Sequence, residues 1–288
     1  MYRLFVAALA VLAVLAVPAA AQTQFPVDSR LNSIVERKTI RIAYRTDATP
    51  FAFANDQNQA AGFSVDLCQL ATQSIARQLG VQSLNIQWVP VNVQTRFSAV
   101  SGNQADLECG SSTITLGRMK EVDFSNVIFV ESTGVVVAKS SNLQSFADMA
   151  GRKIAVISGT TNERAINDQS ALHKLNLTVV TVKSADEGVA ALENGKVDGF
   201  ASDKLLLVGN HMKNAANYSM LPDDLSIEPY AVVLPRGDWA LRLAVNTGLA
   251  EIYRSGAILG VFQKWFGPVG LSPGVLNKAA YAMGGLSN

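Results

Sequence analysis

The spacing of apolar residues along this 288-residue chain switches repeatedly between two periods, and each switch marks an element. Residues 39–43, Thr-Ile-Arg-Ile-Ala, alternate with the period of two that a half-buried strand requires. Over 64–79 the apolar positions Val65, Leu67, Cys68, Ala71, Ile75 and Leu79 follow helical spacing, and Gly80 closes the helix. Strands at 85–91 and 105–109 flank a helix at 94–101, and 127–130 leads into another strand at 134–138. The rhythm then repeats: strand 153–157, helix 161–175, strand 178–182, helix 185–194, strand 199–201 and a helix through Leu205. A strand at 230–234 and a long helical region at 238–266, with Leu241, Val245, Leu249, Ile252 and Tyr253 on one face, complete the pattern. This alternation predicts an α/β fold with mainly parallel sheets, in two lobes crossed by the chain at 129–135 and 226–232. Ligands of open α/β sheets bind at the carboxyl ends of strands, so a cleft between the lobes is expected.

Composition narrows the classes. Only 16% of residues are charged, 49% are hydrophobic and the formal net charge is +1, which disfavours a disordered chain or a nucleic-acid binder. The mean hydropathy of +0.19 has a local source. Residues 1–21 begin with Arg3 in a short positive head, run apolar from Leu4 to Val17, break at Pro18 and end in three alanines before Gln22. That is the pattern of a secretory signal peptide. As a helix, its roughly 14 apolar residues reach about 21 Å, short of a hydrocarbon core about 30 Å thick, which weighs against the other reading, an uncleaved anchor. Its removal takes Arg3 with it and leaves a mature chain of zero formal charge outside the cytoplasmic membrane. In that oxidising compartment Cys68 and Cys109 either bridge each other or pack as two buried thiols. The two histidines, His173 and His211, are too far apart to suggest a metal site, and no cofactor is expected.

Three clusters carry candidate chemistry. Asp106-Leu-Glu-Cys-Gly-Ser-Ser-Thr113, followed by Arg118, reads as a strand emptying into a hydroxyl-rich loop able to surround an anion, or simply as a polar turn. Ser158-Gly-Thr-Thr-Asn-Glu163 lies where a strand ends and a helix begins, with Thr160 and Glu163 spaced as a capping box. The free N–H groups there also suit a carboxylate. Asp203 follows a short strand at its carboxyl end, where it serves as a helix cap or a site residue.

In this order these residues resemble family 3 of the bacterial solute-binding proteins, the periplasmic amino-acid-binding components of ABC importers, and within it the glutamate/aspartate-binding branch. The resemblance covers residues 31–266. It includes Pro50-Phe51, Gly62-Phe-Ser-Val-Asp66, the run from Gly102 to Thr113, Arg118, Val122-Asp-Phe-Ser125, Ser158-Gly-Thr-Thr161, Leu192-Glu-Asn-Gly195 and Lys264-Trp-Phe266. It implies a type II periplasmic-binding-protein fold, with residues 22–131 plus 230–288 as lobe 1 and 132–229 as lobe 2. Such a monomeric clamp closes over one amino acid and presents it to a membrane permease. By similarity, Arg118 takes the α-carboxylate, helped by Thr113 and the helix start at Thr161. Asp203 and Ser111 hold the α-ammonium, and Arg45 and Arg96 receive the side-chain carboxylate. Three cations and one anion then complement a dicarboxylic amino acid.

Two positions depart from the branch: Val93 replaces a usual serine and Ala185 a usual histidine. The side-chain pocket is therefore expected to be wider and more apolar, which admits glutamine or asparagine as alternative ligands. Related folds also host dehydratases and transglycosylases. Against an enzyme, the implied site offers only Asp203, already committed to an ammonium, and arginines, which do not deprotonate. A receptor sensor domain is disfavoured by the lack of a membrane-spanning pattern after Phe266.

Overall fold

The computed structural model describes residues 25–210 and 215–287; the expected signal peptide, residues 1–21, and His211 lie outside them. The first lobe opens with α1 (Arg30–Arg37), capped by the Ser29 hydroxyl, and continues with β1 (Thr39–Arg45). The short strands β2 (Asp47–Ala48), β3 (Ala52–Ala54) and β4 (Ala60–Ala61) form a small antiparallel sheet of their own. Next come α2 (Phe63–Gln78), β5 (Asn85–Val91), α3 (Arg96–Ser101), β6 (Leu107–Glu108) and β7 (Val122–Glu131). The chain crosses at Ser132 into β8 (Thr133–Ala138), then builds β9 (Lys153–Ile157), α4 (Thr161–Leu172), β10 (Thr178–Val182), α5 (Ala185–Glu193), β11 (Gly199–Asp203), α6 (Lys204–Asn210) and β12 (Tyr218–Met220). It returns through β13 (Glu228–Pro235) and ends in α7 (Trp239–Arg254), α8 (Ala257–Phe266) and α9 (Val275–Gly284).

Two five-stranded sheets result, ordered β5-β1-β6-β13-β7 and β10-β9-β11-β8-β12, one at the centre of each lobe. The expectation of mainly parallel sheets holds for only half of the ladders. β1 pairs parallel with β5 and β6, and β9 with β10 and β11. β13 runs antiparallel to β6 and β7, and β8 antiparallel to β11 and β12. Parallel neighbours need a long crossover, usually a helix, and the crossings supply none: β7 passes into β8 through a single residue. The helical region at 238–266 is two helices, because Gly256 takes a left-handed conformation (φ +75°) between α7 and α8.

Three of the motifs, Pro50-Phe51, Gly62 to Asp66 and Lys264 to Phe266, meet in the core of the first lobe. Phe51, Phe63, Phe129, Phe262 and Phe266 form one aromatic cluster, with Phe262 and Phe266 4.6 Å apart and Phe51 and Phe129 4.9 Å apart between ring centroids. Gly62 is required here: its φ is +132°, and a Cβ would lie 2.2 Å from the Phe51 carbonyl oxygen. Asp66 accepts hydrogen bonds from Lys264 Nζ and Trp265 Nε1, both at 2.7 Å, which ties the start of α2 to the end of α8. Of the two readings for the cysteines, the structure shows the bridge: Cys68 on α2 is disulfide-bonded to Cys109, just after β6, with Cα atoms 6.4 Å apart. The Ser64 hydroxyl donates to the Gly110 carbonyl at 2.7 Å, so the hydroxyl-rich loop is pinned at its base. Among the described residues no helix is long and apolar enough to cross a membrane.

Candidate ligand-binding site

Strand ends and helix starts of both lobes converge on one cavity. Arg45, Ile157 and Asp203 are the last residues of β1, β9 and β11, and Arg96, Thr161 and Ala185 the first of α3, α4 and α5. This is the placement that open α/β sheets give to ligand sites. Ser111 and Thr113 enter the wall from the hydroxyl-rich loop, and Val93, Ile157, Ala185 and Leu206 make its apolar part. The cavity measures about 20 Å³, room for a water molecule or two.

Eight of the nine residues singled out from the sequence line this cavity: Arg45, Val93, Arg96, Ser111, Thr113, Thr161, Ala185 and Asp203. Arg118 does not. Its guanidinium lies over the Phe97 ring, 4.9 Å from the centroid, and its Nη1 donates to the Thr113 carbonyl at 2.8 Å. Arg96 stacks on the same ring at 4.8 Å.

The two arginines assigned to a side-chain carboxylate differ. Arg45 donates through Nε to Asp47 at 2.9 Å, and its Nη1 lies 3.4 Å from the Ser111 hydroxyl. Arg96 is 3% exposed, yet its guanidinium makes no hydrogen bond or ion pair with any described residue, and its Nε is buried without a partner. Burial above all, and then the neighbouring Arg118 and Arg45, pull its pKa down to about 9. Beneath it lies Glu108, fully buried, whose Oε2 accepts from Ser112 at 2.8 Å and whose carboxyl pKa burial raises. Gly110 makes room for that carboxylate, since a Cβ there would sit 2.2 Å from Glu108 Oε1.

On the opposite wall Asp203 accepts from Asn162 Nδ2 at 2.8 Å and from the Tyr230 hydroxyl. Burial, and next the proximity of Glu228, raise its pKa to about 6. Glu228 is itself 2% exposed and ringed by hydroxyls: Thr113 at 2.7 Å, Thr161 at 2.6 Å, Ser226 at 2.6 Å and Thr133 at 3.4 Å. The expected count of three cations and one anion is therefore corrected. Asp47 lines the cavity beside Arg45, Glu228 accepts from the wall hydroxyls of Thr113 and Thr161, and Glu108, bonded to Ser112, acts electrostatically on Arg96. The hydroxyl of Thr113, expected to help hold a ligand carboxylate, donates to Glu228, as does that of Thr161. The N–H groups at the start of α4 remain for an anion. The capping box at 160–163 is half formed: the Thr160 hydroxyl accepts from Glu163 N at 3.2 Å, while the Glu163 carboxylate reaches one residue further back, to Gly159 N at 2.8 Å.

Asp47, Asn162, Glu228 and Tyr230 escaped the reading of the sequence. The available signal was a carboxylate, Glu228, inside an otherwise apolar crossing segment.

An L-glutamate/L-aspartate-binding protein of Pseudomonas aeruginosa is 30% identical over 244 residues, covering 82% of this chain and 79% of the relative. The ABC transporter glutamine-binding protein GlnH of Bacillus subtilis is 26% identical over 237 residues, covering 82% and 84%. Among solved structures, an ancestral arginine-binding protein bound to arginine superposes with a TM-score of 0.70 at 26% identity, over 80% of this chain and 99% of that one. The family model of the bacterial extracellular solute-binding proteins, family 3, matches residues 40–268, the span that holds both central sheets and every wall of the cavity, and the chain belongs to that family.

Proposed function

We propose that this protein is the extracytoplasmic binding component of an amino-acid ABC importer and that its preferred ligands are glutamate and aspartate, delivered to a permease in the cytoplasmic membrane. The observation that carries this reading is Arg96, a cation 3% exposed on the cavity wall and without a hydrogen-bonding partner among the described residues. A buried charge costs several kcal/mol unless an anion and hydrogen bonds meet it; Glu108 is near enough to act on the charge but accepts no hydrogen bond from it, and a ligand carboxylate supplies those bonds. Asp203 supplies the complementary anion for an α-ammonium. We read the mature chain as a monomer that begins after residue 21, with residues 22–131 and 230–288 forming one lobe and 132–229 the other, acting outside the cytoplasmic membrane. Binding without catalysis fits the wall, where Asp203 already accepts from Tyr230 and Asn162. A second reading, glutamine or asparagine, is favoured by the apolar stretch of Val93, Ala185, Ile157 and Leu206 and by the engagement of Arg45 with Asp47.

The test is a thermal-shift panel of the twenty amino acids on protein refolded to strip carried-over ligand. At 100 times its dissociation constant a true ligand adds about 2.7 kcal/mol of stability. Glutamate and aspartate should raise the transition and lysine and arginine should not. Equal shifts from lysine would sink the assignment of Arg96.

A further inference from the structure

Glu228 stands at the start of β13, on the return crossing, 115 residues from Thr113 and 67 from Thr161. Its Oε2 accepts from both hydroxyls, one from each lobe, at 2.7 and 2.6 Å. Its Oε1 accepts from Ser226 at 2.6 Å and lies 3.4 Å from the hydroxyl of Thr133, the first residue of β8 on the outgoing crossing. A threonine hydroxyl has one proton and two lone pairs, and an ionised carboxylate accepts only. Thr113 and Thr161 therefore commit their single protons to Glu228. Both residues line the cavity, and their oxygens lie 3.4 Å apart. What they can offer a ligand is lone pairs.

We propose that Glu228 is a positioning residue of the ligand site: by holding these two protons it turns both hydroxyls into acceptors, so that this part of the wall selects an ammonium and disfavours a carboxylate. The inference rests on the reading of the ligand as an α-amino acid. Because the two hydroxyls come from opposite lobes, the arrangement is complete only when the lobes are closed, which couples closure to recognition of the amino group.

Glu228→Gln tests this with little change of shape. The glutamine amide donates to a threonine oxygen, and a hydroxyl proton is released toward the cavity. Calorimetry on wild type and variant should compare glutamate with its deaminated counterpart glutarate. The expected result is a fall of about tenfold or more in the ratio of glutamate to glutarate affinity, about 1.4 kcal/mol. Thr161→Val, which removes one acceptor and no charge, should move the ratio in the same direction, and it stands alone if Glu228→Gln does not fold. Equal weakening of both compounds, the mark of a purely structural role, overturns the inference, as does an unchanged ratio. A wild-type protein that takes up neither compound and none of the other amino acids refutes the amino-acid reading as well as this one, whereas binding with an unchanged ratio refutes this one alone.

Discussion

Asp203 gives ligand binding a pH dependence whose size follows from its surroundings. The carboxylate ends β11, is 5% exposed, accepts from Tyr230 and Asn162, and faces Glu228 with Arg45 as the opposing cation. Burial and then Glu228 raise its pKa from 3.8 to about 6. An α-ammonium pairs with the ionised form, so below that pH the ligand-free protein must release a proton in order to bind. The apparent dissociation constant then grows about tenfold between pH 7 and pH 5, about 1.4 kcal/mol. Neither the ammonium nor a ligand side-chain carboxylate titrates in that window. The ligand-free fold has the opposite trend. With the folded pKa above the unfolded value, the protonated form is favoured by folding, so the contribution is most favourable below about pH 4 and is lost as pH rises through about 6, about 3 kcal/mol in all. Glu131, raised to about 8 by burial and then by Asp203, extends the same loss to higher pH. Calorimetry from pH 5 to 7 at fixed ionic strength measures the binding slope, and Asp203→Asn should bind weakly and lose it. A wild-type dissociation constant that varies less than about twofold over this range would refute the pairing of Asp203 with the ammonium.

If Arg118, which lies outside the cavity wall here, turns to the ligand's α-carboxylate as the family resemblance implies, Arg118→Ala should remove detectable binding of every amino acid; binding within about tenfold of wild type, about 1.4 kcal/mol, would show that Arg118 serves only Phe97 and the Thr113 carbonyl. Replacing Val93 by Ser together with Ala185 by His should sharpen selectivity for dicarboxylates over their amides by about 0.5 to 1.5 kcal/mol for each donor restored. If the unmodified protein already rejects glutamine about a thousandfold, these positions do not set specificity. The Cys68–Cys109 bond closes a separation of 41 residues, and Cys68→Ala with Cys109→Ala should lower stability to denaturant by about 3 to 4 kcal/mol. An unchanged midpoint would mean that the bond does not staple α2 to the loop that carries Ser111 and Thr113.

Much of the fold can be read from the sequence because each lobe repeats strong local signals. The strands over Asn85–Val91, Lys153–Ile157 and Thr178–Val182 match the periodicity, and Thr160 caps a helix where its spacing places it. The small sheet of β2, β3 and β4 escaped because strands of two or three residues show no period. The antiparallel half of each main sheet escaped because direction is set by the crossings, which carry no local signature of orientation. Eight of the cavity-lining residues could be named from motifs, whereas Asp47, Asn162 and Glu228 could not. Asp47 neighbours Arg45 in sequence but points its charge the same way only in the folded turn, and Glu228 reaches Thr113 across 115 residues. Partners are set by the folded geometry, whether two residues away or 115, so the sequence reading counted cations and missed the anions beside them.

Titrating ligand-stripped protein with glutamate and with lysine, on wild type and on Arg96→Met, tests the central claim most directly. The account predicts that glutamate binds wild type and lysine does not, and that Arg96→Met, which keeps the buried stem and removes the charge, loses glutamate about a hundredfold or more while staying folded. Tight lysine binding, or glutamate binding left intact by Arg96→Met, would contradict it.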